Sequence, residues 1–203
     1  MRNPELTKTK ILDSAGRLFN VKGYKATSLS EITNETGLTK GAIYSHFGNK
    51  SGLEKETLIY LTHNMLAQLR LAIRAQSTAP DKLYAILEFY QKYLSQPPVH
   101  GGCPLINAAV EADDSNPDLQ KVVNHLMDMV HQSIESILEN GIRYEQLSSA
   151  VDIHQFASLF YSSIQGAIMM SKLTKNNSYV ERVIAYLKSE INDISIHIPN
   201  GIQ

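Results

Sequence analysis

Over residues 11–194 apolar side chains recur three and four positions apart, and no segment keeps the strict alternation of a half-buried strand. That spacing lines side chains along one helix face, so the chain is expected to be all-α, with about nine helices. Glycine, proline and capping residues set their ends. Ile11, Ala15, Leu18 and Phe19 share a face of the first helix, which Gly23 closes as a C-terminal glycine. Ser28 and Glu31 have capping-box spacing and open a short second helix that stops at Gly37. A third runs from a Thr39 cap to about Phe47. Asn49 opens a long fourth helix, with Leu53, Leu58, Leu61, Met65, Leu69 and Ile73 on one stripe up to a break at residues 77–80. Pro80 suits the first turn of helix five. Two prolines and two glycines in residues 96–102 require a loop. Pro104 starts a short helix six, residues 113–117 (Asp-Asp-Ser-Asn-Pro) read as loop plus cap, and three longer helices follow.

Charge is unevenly divided. Residues 1–50 hold eight Lys/Arg (Arg2, Lys8, Lys10, Arg17, Lys22, Lys25, Lys40, Lys50) against four acids, a balance of +4, while residues 51–203 carry eleven against sixteen, −5. A basic head on an acidic body is the footprint of a DNA-reading domain carried by a part that avoids DNA; chance clustering is the plain alternative. Other classes are disfavoured. No apolar run approaches the ~20 residues that cross a bilayer, and no apolar segment follows Met1-Arg2-Asn3-Pro4-Glu5 to direct secretion. A cytoplasmic protein without membrane contact is expected. Cys103 is the single cysteine, which rules out an internal disulfide framework and a multi-cysteine zinc site. His63, His100, His125, His131, His154 and His197 include no His-x3-His pair, and no nucleophile-elbow pattern accompanies the serines. No metal, no cofactor, no catalytic residue and no enzyme activity are expected.

The informative stretch is residues 27–50. Two short helices meet at Gly37, where a missing Cβ lets the backbone turn left-handed. Leu29, Ile32, Leu38, Ile43 and Phe47 can pack this pair on Leu18 and Phe19, which frees the polar side of helix three. In a helix-turn-helix the second helix enters the major groove with its N-terminal residues near base edges; here these are Thr39, Lys40, Gly41 and Ala42. Gly41 and Ala42 allow close approach to the groove floor. Tyr44, His46 and Lys50 carry donors for phosphate oxygens, which fix register rather than read sequence, and Lys50 adds the free amides of a helix start. Tyr44 as a small core cap and His46 as a solvated histidine are the bland alternatives.

With those residues in view, the region from about Thr7 to Leu58 resembles the DNA-binding domain of the TetR/AcrR family. The resemblance is carried by Ile11-Leu12, Ala15, Leu18-Phe19, Gly23-Tyr24, Ala26-Thr27-Ser28-Leu29, Glu31-Ile32, the run from Gly37 through Leu38, Thr39, Lys40, Gly41, Ala42 and Ile43 to Tyr44, then His46-Phe47, Lys50 and Leu53. It implies a homodimer on a palindromic double-stranded DNA operator, Thr27 and Ser28 as further phosphate contacts, and repression as the usual outcome. Glu35-Thr36 departs from the small pair commoner there. The expected division is a helix-turn-helix domain at 1–50, joined by the long helix four to a ligand-binding and dimerisation domain at 51–203, a C-terminal helical bundle.

Within that second part, the segment opening Gly101-Gly102-Cys103-Pro104-Leu105, with Asn107, Glu111 and Pro117 beyond, resembles a Gly-Cys-Pro-Leu…Asn…Glu…Pro pattern at helix six in a subset of the family. The resemblance implies that helix six covers a ligand cavity and transmits its occupancy to helix four. Cys103 precedes the helix start, where the dipole lowers a thiol pKa; it is either an electrophile sensor or, more simply, a small buried hydrophobe. Met65, Tyr93, Cys103, Asn107 and Phe160 are candidate contacts for a small-molecule effector, Asn107 as the orienting polar group; each apolar one also suits the core. Helices eight and nine carry two long apolar stripes with Ser162, Ser163, Gly166, Ala167 and Ser171 allowing close approach. They either pair with their two-fold mates, as the resemblance implies, or are consumed inside one chain. A DNA-binding protein without ligand, and a helical enzyme or lipid-binding protein that only mimics the motif, are the competing classes.

Overall fold

The computed structural model describes residues 3–112 and 116–196; the expected loop at 113–115, Met1, Arg2 and His197 lie outside them. Among the described residues there are nine helices: α1 (Pro4–Lys22), α2 (Leu29–Thr36), α3 (Lys40–Phe47), α4 (Lys50–Arg74), α5 (Ala79–Lys92), α6 (Pro104–Ala112), α7 (Pro117–Arg143), α8 (Ile153–Thr174) and α9 (Ser178–Ile194). The chain is all-α, as its periodicity predicts. Among the described residues the one extended pairing is an isolated bridge between Leu147 and Ser195. No helix among the described residues is long and apolar enough to cross a membrane.

The ends form where the side chains dictate. The Asn3 side chain accepts from the Glu5 and Leu6 N–H groups at the start of α1, and Gly23, at φ 96°, ends it. At α2 the capping box is complete: Ser28 Oγ accepts the Glu31 N–H while Glu31 Oε2 accepts the Ser28 N–H at 2.8 Å. Gly37 closes α2 in the left-handed conformation, φ 68°. Thr39 caps α3 through the Ala42 N–H, Thr78 caps α5 ahead of Pro80, and Asn116 Oδ1 accepts the Leu119 N–H at the start of α7.

The described chain forms two compact units. The first comprises residues 1–66 with 97–127, the second residues 67–96 with 128–203, so α4 and α7 contribute to both. In the first, α1 packs on α2 and α6, and α2 on α3. Its core is Ile11, Ala15, Phe19, Ile32, Ile43, Leu53 and Leu58, each without exposed surface. In the second, α8 lies along α9 and both meet α5, around Leu83, Leu87, Phe160, Ile164, Ile184 and Ile191. Gln146 Oε1 accepts the Ala79 N–H at 2.7 Å and so caps α5 from a distance in sequence.

The Glu31 carboxyl is held at about 2, against 4.5 ordinarily, by hydrogen bonding to the Lys22 ammonium first, then by the Ser28 N–H and hydroxyl. A folded-state value below the unfolded one gives stability that is whole above about 4.5 and fades as pH falls through about 2. Thermal melts at stepped pH should therefore show wild type more stable than Glu31→Gln at neutral pH, with the advantage gone by about pH 2.

Candidate nucleic-acid interface

The helix α3 is divided by its own sequence. Ile43 and Phe47 point into the core, at 0% and 6% exposure. On the other side Thr39, Lys40, Gly41, Tyr44 and Ser45 are exposed, with Ala42 and His46 half-buried. Thr39 does double work, since its hydroxyl oxygen caps the helix. Gly41 is informative because nothing local asks for it. Its φ lies outside the left-handed range, and a Cβ built there meets nothing nearer than Thr39 Oγ1 at 4.0 Å. A side chain would project into open space, on the face that a groove floor would meet.

The flanking residues divide into exposed and committed. Ser28 is exposed, with its hydroxyl engaged by Glu31 as the N-cap of the capping box. Thr27 has no exposed surface, and its hydroxyl donates to Gly23 O at 2.7 Å. Lys50 Nζ donates to Tyr24 O at 2.8 Å and lies 3.3 Å from Glu54 Oε1. Both were expected to meet phosphate; in the free protein both serve the turn between α1 and α2. Much of the basic excess is likewise paired within the unit: Lys8 with Glu56, Arg17 with Glu35, Lys22 with Glu31, and Lys10 with the Thr36 carbonyl at the C-terminal end of α2. Lys25 and Lys40 are exposed and enter none of these pairs.

That α1–α2 turn is held by a set of contacts that the motif reading missed. After Gly23 leaves α1, the N–H groups of Tyr24 and Lys25 donate to the two oxygens of Glu111 from α6, each at 3.0 Å. A Cβ on Gly23 would lie 2.6 Å from Glu111 Oε1. One turn back, Asn20 Nδ2 donates to the carbonyls of His100 and Gly102, both at 2.8 Å. Asn107 Nδ2 donates in return to Asn20 O and Oδ1 at 3.0 Å. A Cβ on Gly101, at φ 96°, would fall 2.6 Å from Asn20 O. Glu54, buried beside Lys50, accepts from Asn116 Nδ2 at 3.1 Å. The Tyr24 ring stacks on Phe19 at 4.8 Å; burial raises its hydroxyl pKa, helped by Glu111 and Glu54. The sequence shows only that Asn107 and Glu111 stand four apart and share a helix face, not what that face meets.

Of the candidate effector contacts, Met65, Cys103 and Asn107 belong to the first unit, Tyr93 and Phe160 to the second. All but Asn107 are buried, and the Asn107 amide nitrogen is used by α1 and Gly101 O. Tyr93 lies in an aromatic group with Phe89 and Tyr90, ring centroids 5.3–6.2 Å apart. No group of three metal-ligating side chains occurs among the described residues.

Residues 11–57 match the family described as bacterial regulatory proteins of the tetR family, and residues 79–187 match the tetracyclin repressor-like C-terminal domain. The chain belongs to the TetR family. A TetR transcriptional regulator from Chloroflexus aurantiacus J-10-FL superposes with a TM-score of 0.90 at 30% identity, covering 96% of this chain and 98% of that one. A second, from Cytophaga hutchinsonii, gives 0.89 at 28%, covering 98% and 99%. An uncharacterized HTH-type regulator of Lactococcus lactis subsp. lactis is 26% identical over 93% of this chain and 94% of its own length. This TetR-family chain is a helix-turn-helix DNA-binding transcriptional regulator and not an enzyme.

Gly23 is required twice over, by its positive φ and by the Glu111 carboxylate. Gly23→Ala should cost about 1–3 kcal/mol, read as a lower urea midpoint without a change in slope.

Proposed function

We propose that this TetR-family regulator is a homodimeric repressor, released from a palindromic operator by a small apolar or electrophilic effector. The observation that carries the DNA-reading half is α3: a short, capped helix whose Ile43 and Phe47 are buried while Lys40, Gly41 and Tyr44 are presented outward. Thr39, Lys40, Gly41 and Ala42 face base edges; Ser28, Tyr44 and His46 contact phosphates. Lys50 reaches phosphate only by exchanging Tyr24 O and Glu54 for it, and Thr27 acts by bracing the turn rather than through its buried hydroxyl. The domain division at residue 50 describes function: residues 1–50 read DNA, and 51–203 bind effector and partner copy in the cytoplasm. The Gly-Cys-Pro-Leu segment at α6 supports reading the chain as one of the subset that bears it.

Dimerisation is supported by what α8 leaves uncovered. Leu159, Met169 and Leu173 are 57%, 51% and 77% exposed, and Ser162 and Gly166 lie among them. At 100° per residue all five fall within an arc of about 80°. A Cβ on Gly166 meets nothing within 4 Å, so a second helix can come close. Tyr186 of α9, 59% exposed, extends the apolar surface. The effector reading rests on Phe89, Tyr90 and Tyr93, an aromatic group of the second unit, as an apolar lining; Phe160 is a further apolar candidate in that unit, and Met65, Cys103 and Asn107 are candidates in the first. Cys103, 4% exposed, is the contact an electrophilic effector would modify.

A palindromic duplex selected from a random library serves as the DNA probe. Gly41→Leu should melt no lower than wild type, since Leu is the better helix former by up to about 1 kcal/mol, yet lose the selected duplex by tenfold or more (~1.4 kcal/mol). Lys40→Ala should weaken binding and relax preference among duplexes by about 1–3 kcal/mol. If neither variant changes binding, α3 is not the reading helix. Separately, Leu159→Glu with Leu173→Glu should convert a dimer of two 22.6 kDa chains to monomer in light scattering and abolish tight duplex binding. A wild type that scatters as monomer refutes the two-fold reading.

A further inference from the structure

The segment around Gly101 is tied to α1. Its polar residues are spent on α1: Asn107 on Asn20, the His100 and Gly102 carbonyls on Asn20 Nδ2, and Glu111 on the Tyr24 and Lys25 N–H groups. Gly101 and Gly23 are the two places where a Cβ would push these parts apart, with 2.6 Å clearances to Asn20 O and Glu111 Oε1. The carbonyl side of the same turn is held by Lys50 of α4, through Tyr24 O. Lys50 leads on to Glu54 and Glu54 to Asn116. Helix α6 and the first part of α7 therefore belong to the same compact unit as α1, α2 and α3.

We infer that Glu111, seconded by Asn107, is a positioning residue for DNA binding: it fastens α6 to the α1–α2 turn, so that a shift of α6 is delivered to the reading helix through the end of α1. Neither residue need touch DNA. Two consecutive N–H groups after a positive-φ glycine form a small concave anion site, and a bidentate carboxylate fills it with two charge-assisted bonds whose direction is fixed. A fastening of that kind resists rotation as well as separation. Loosening it leaves the protein folded and its DNA-facing residues in place, but gives the head freedom to swing against α6. This inference rests on the dimeric DNA-binding reading, because its consequence is a looser spacing between two heads.

The test uses the full-length protein and a set of selected palindromic duplexes whose half-sites are moved apart or together by one base pair. Each step changes separation by about 3.4 Å, so a fastened head discriminates. For Glu111→Ala, affinity at the best spacing should fall about tenfold, while affinity at the shifted spacings changes less than about twofold, so discrimination narrows. The salt slope should stay that of wild type, since no phosphate contact is lost. Asn107→Ala should act in the same direction, and Glu111→Gln, which keeps one acceptor oxygen, should fall between. Amide exchange at Tyr24 and Lys25 should accelerate in Glu111→Ala. Equal weakening at every spacing, unchanged discrimination, or a lower salt slope overturns the inference and leaves the proposed function standing. A wild type that selects no symmetric duplex overturns both.

Discussion

Once Gly23 turns the chain out of α1, the N–H groups of Tyr24 and Lys25 have no helical acceptor, and the Glu111 carboxylate meets them. The Tyr24 N–H, beside the core, would cost about 1–3 kcal/mol if buried unpaired, so the turn and α6 come as a pair. The rest of the first unit is arranged around that fact. Tyr24, with its N–H and carbonyl both tied, lays its ring on Phe19. Thr27 closes the turn on Gly23 O, Ser28 can then cap α2, and α2 delivers α3. Lys50, answering the Tyr24 carbonyl, fixes where α4 begins. Small polar bonds, each of modest net worth, set the angle at which the reading helix is offered.

What was legible in the sequence was whatever depends on neighbours. Helix ends at Gly23, Gly37, Thr39 and Pro80 follow from local backbone chemistry, and each stands where the spacing puts it. The division of α3 into a buried and an exposed side was readable for the same reason, since Ile43 and Phe47 sit one turn apart. The fastening of α6 was not, because its partners are about eighty residues apart and nothing in Asn20 or Glu111 announces the other. The engagement of Thr27 and Lys50 within the fold was hidden for a related reason. A hydroxyl or ammonium type suggests phosphate, but whether it is free depends on Gly23 O and Tyr24 O, which only the folded turn brings within reach.

The +4 balance of residues 1–50 also changes meaning once folded. Lys8, Lys10, Arg17, Lys22 and Lys50 are engaged by carboxylates or carbonyls of their own unit. Glu31 and Glu35 are already counted in that balance, but Glu56 and Glu54 come from beyond residue 50 and lower the charge that the unit shows to solvent. Among the described residues 3–50, Lys25 and Lys40 are the exposed Lys/Arg side chains outside those contacts. Long-range steering by the head is thus weaker than a count of lysines suggests. On the proposed reading, more of the recognition then falls to shape and hydrogen bonding, with Lys50 exchanging its internal partners for phosphate.

Shape is where the glycines separate. Gly23 and Gly101 are demanded by positive φ and by oxygens 2.6 Å from an imagined Cβ; replacing them breaks the fold's own contacts. Gly41 has neither excuse. In the middle of an exposed turn of helix it costs up to about 1 kcal/mol relative to alanine, and the protein around it would accept a larger residue without strain. A helix that stays thin at the one exposed point where the fold has room to spare is paying stability for access. Nothing inside the chain uses that room, and the proposed reading gives it to the edge of a DNA groove, which a thin helix can approach closely.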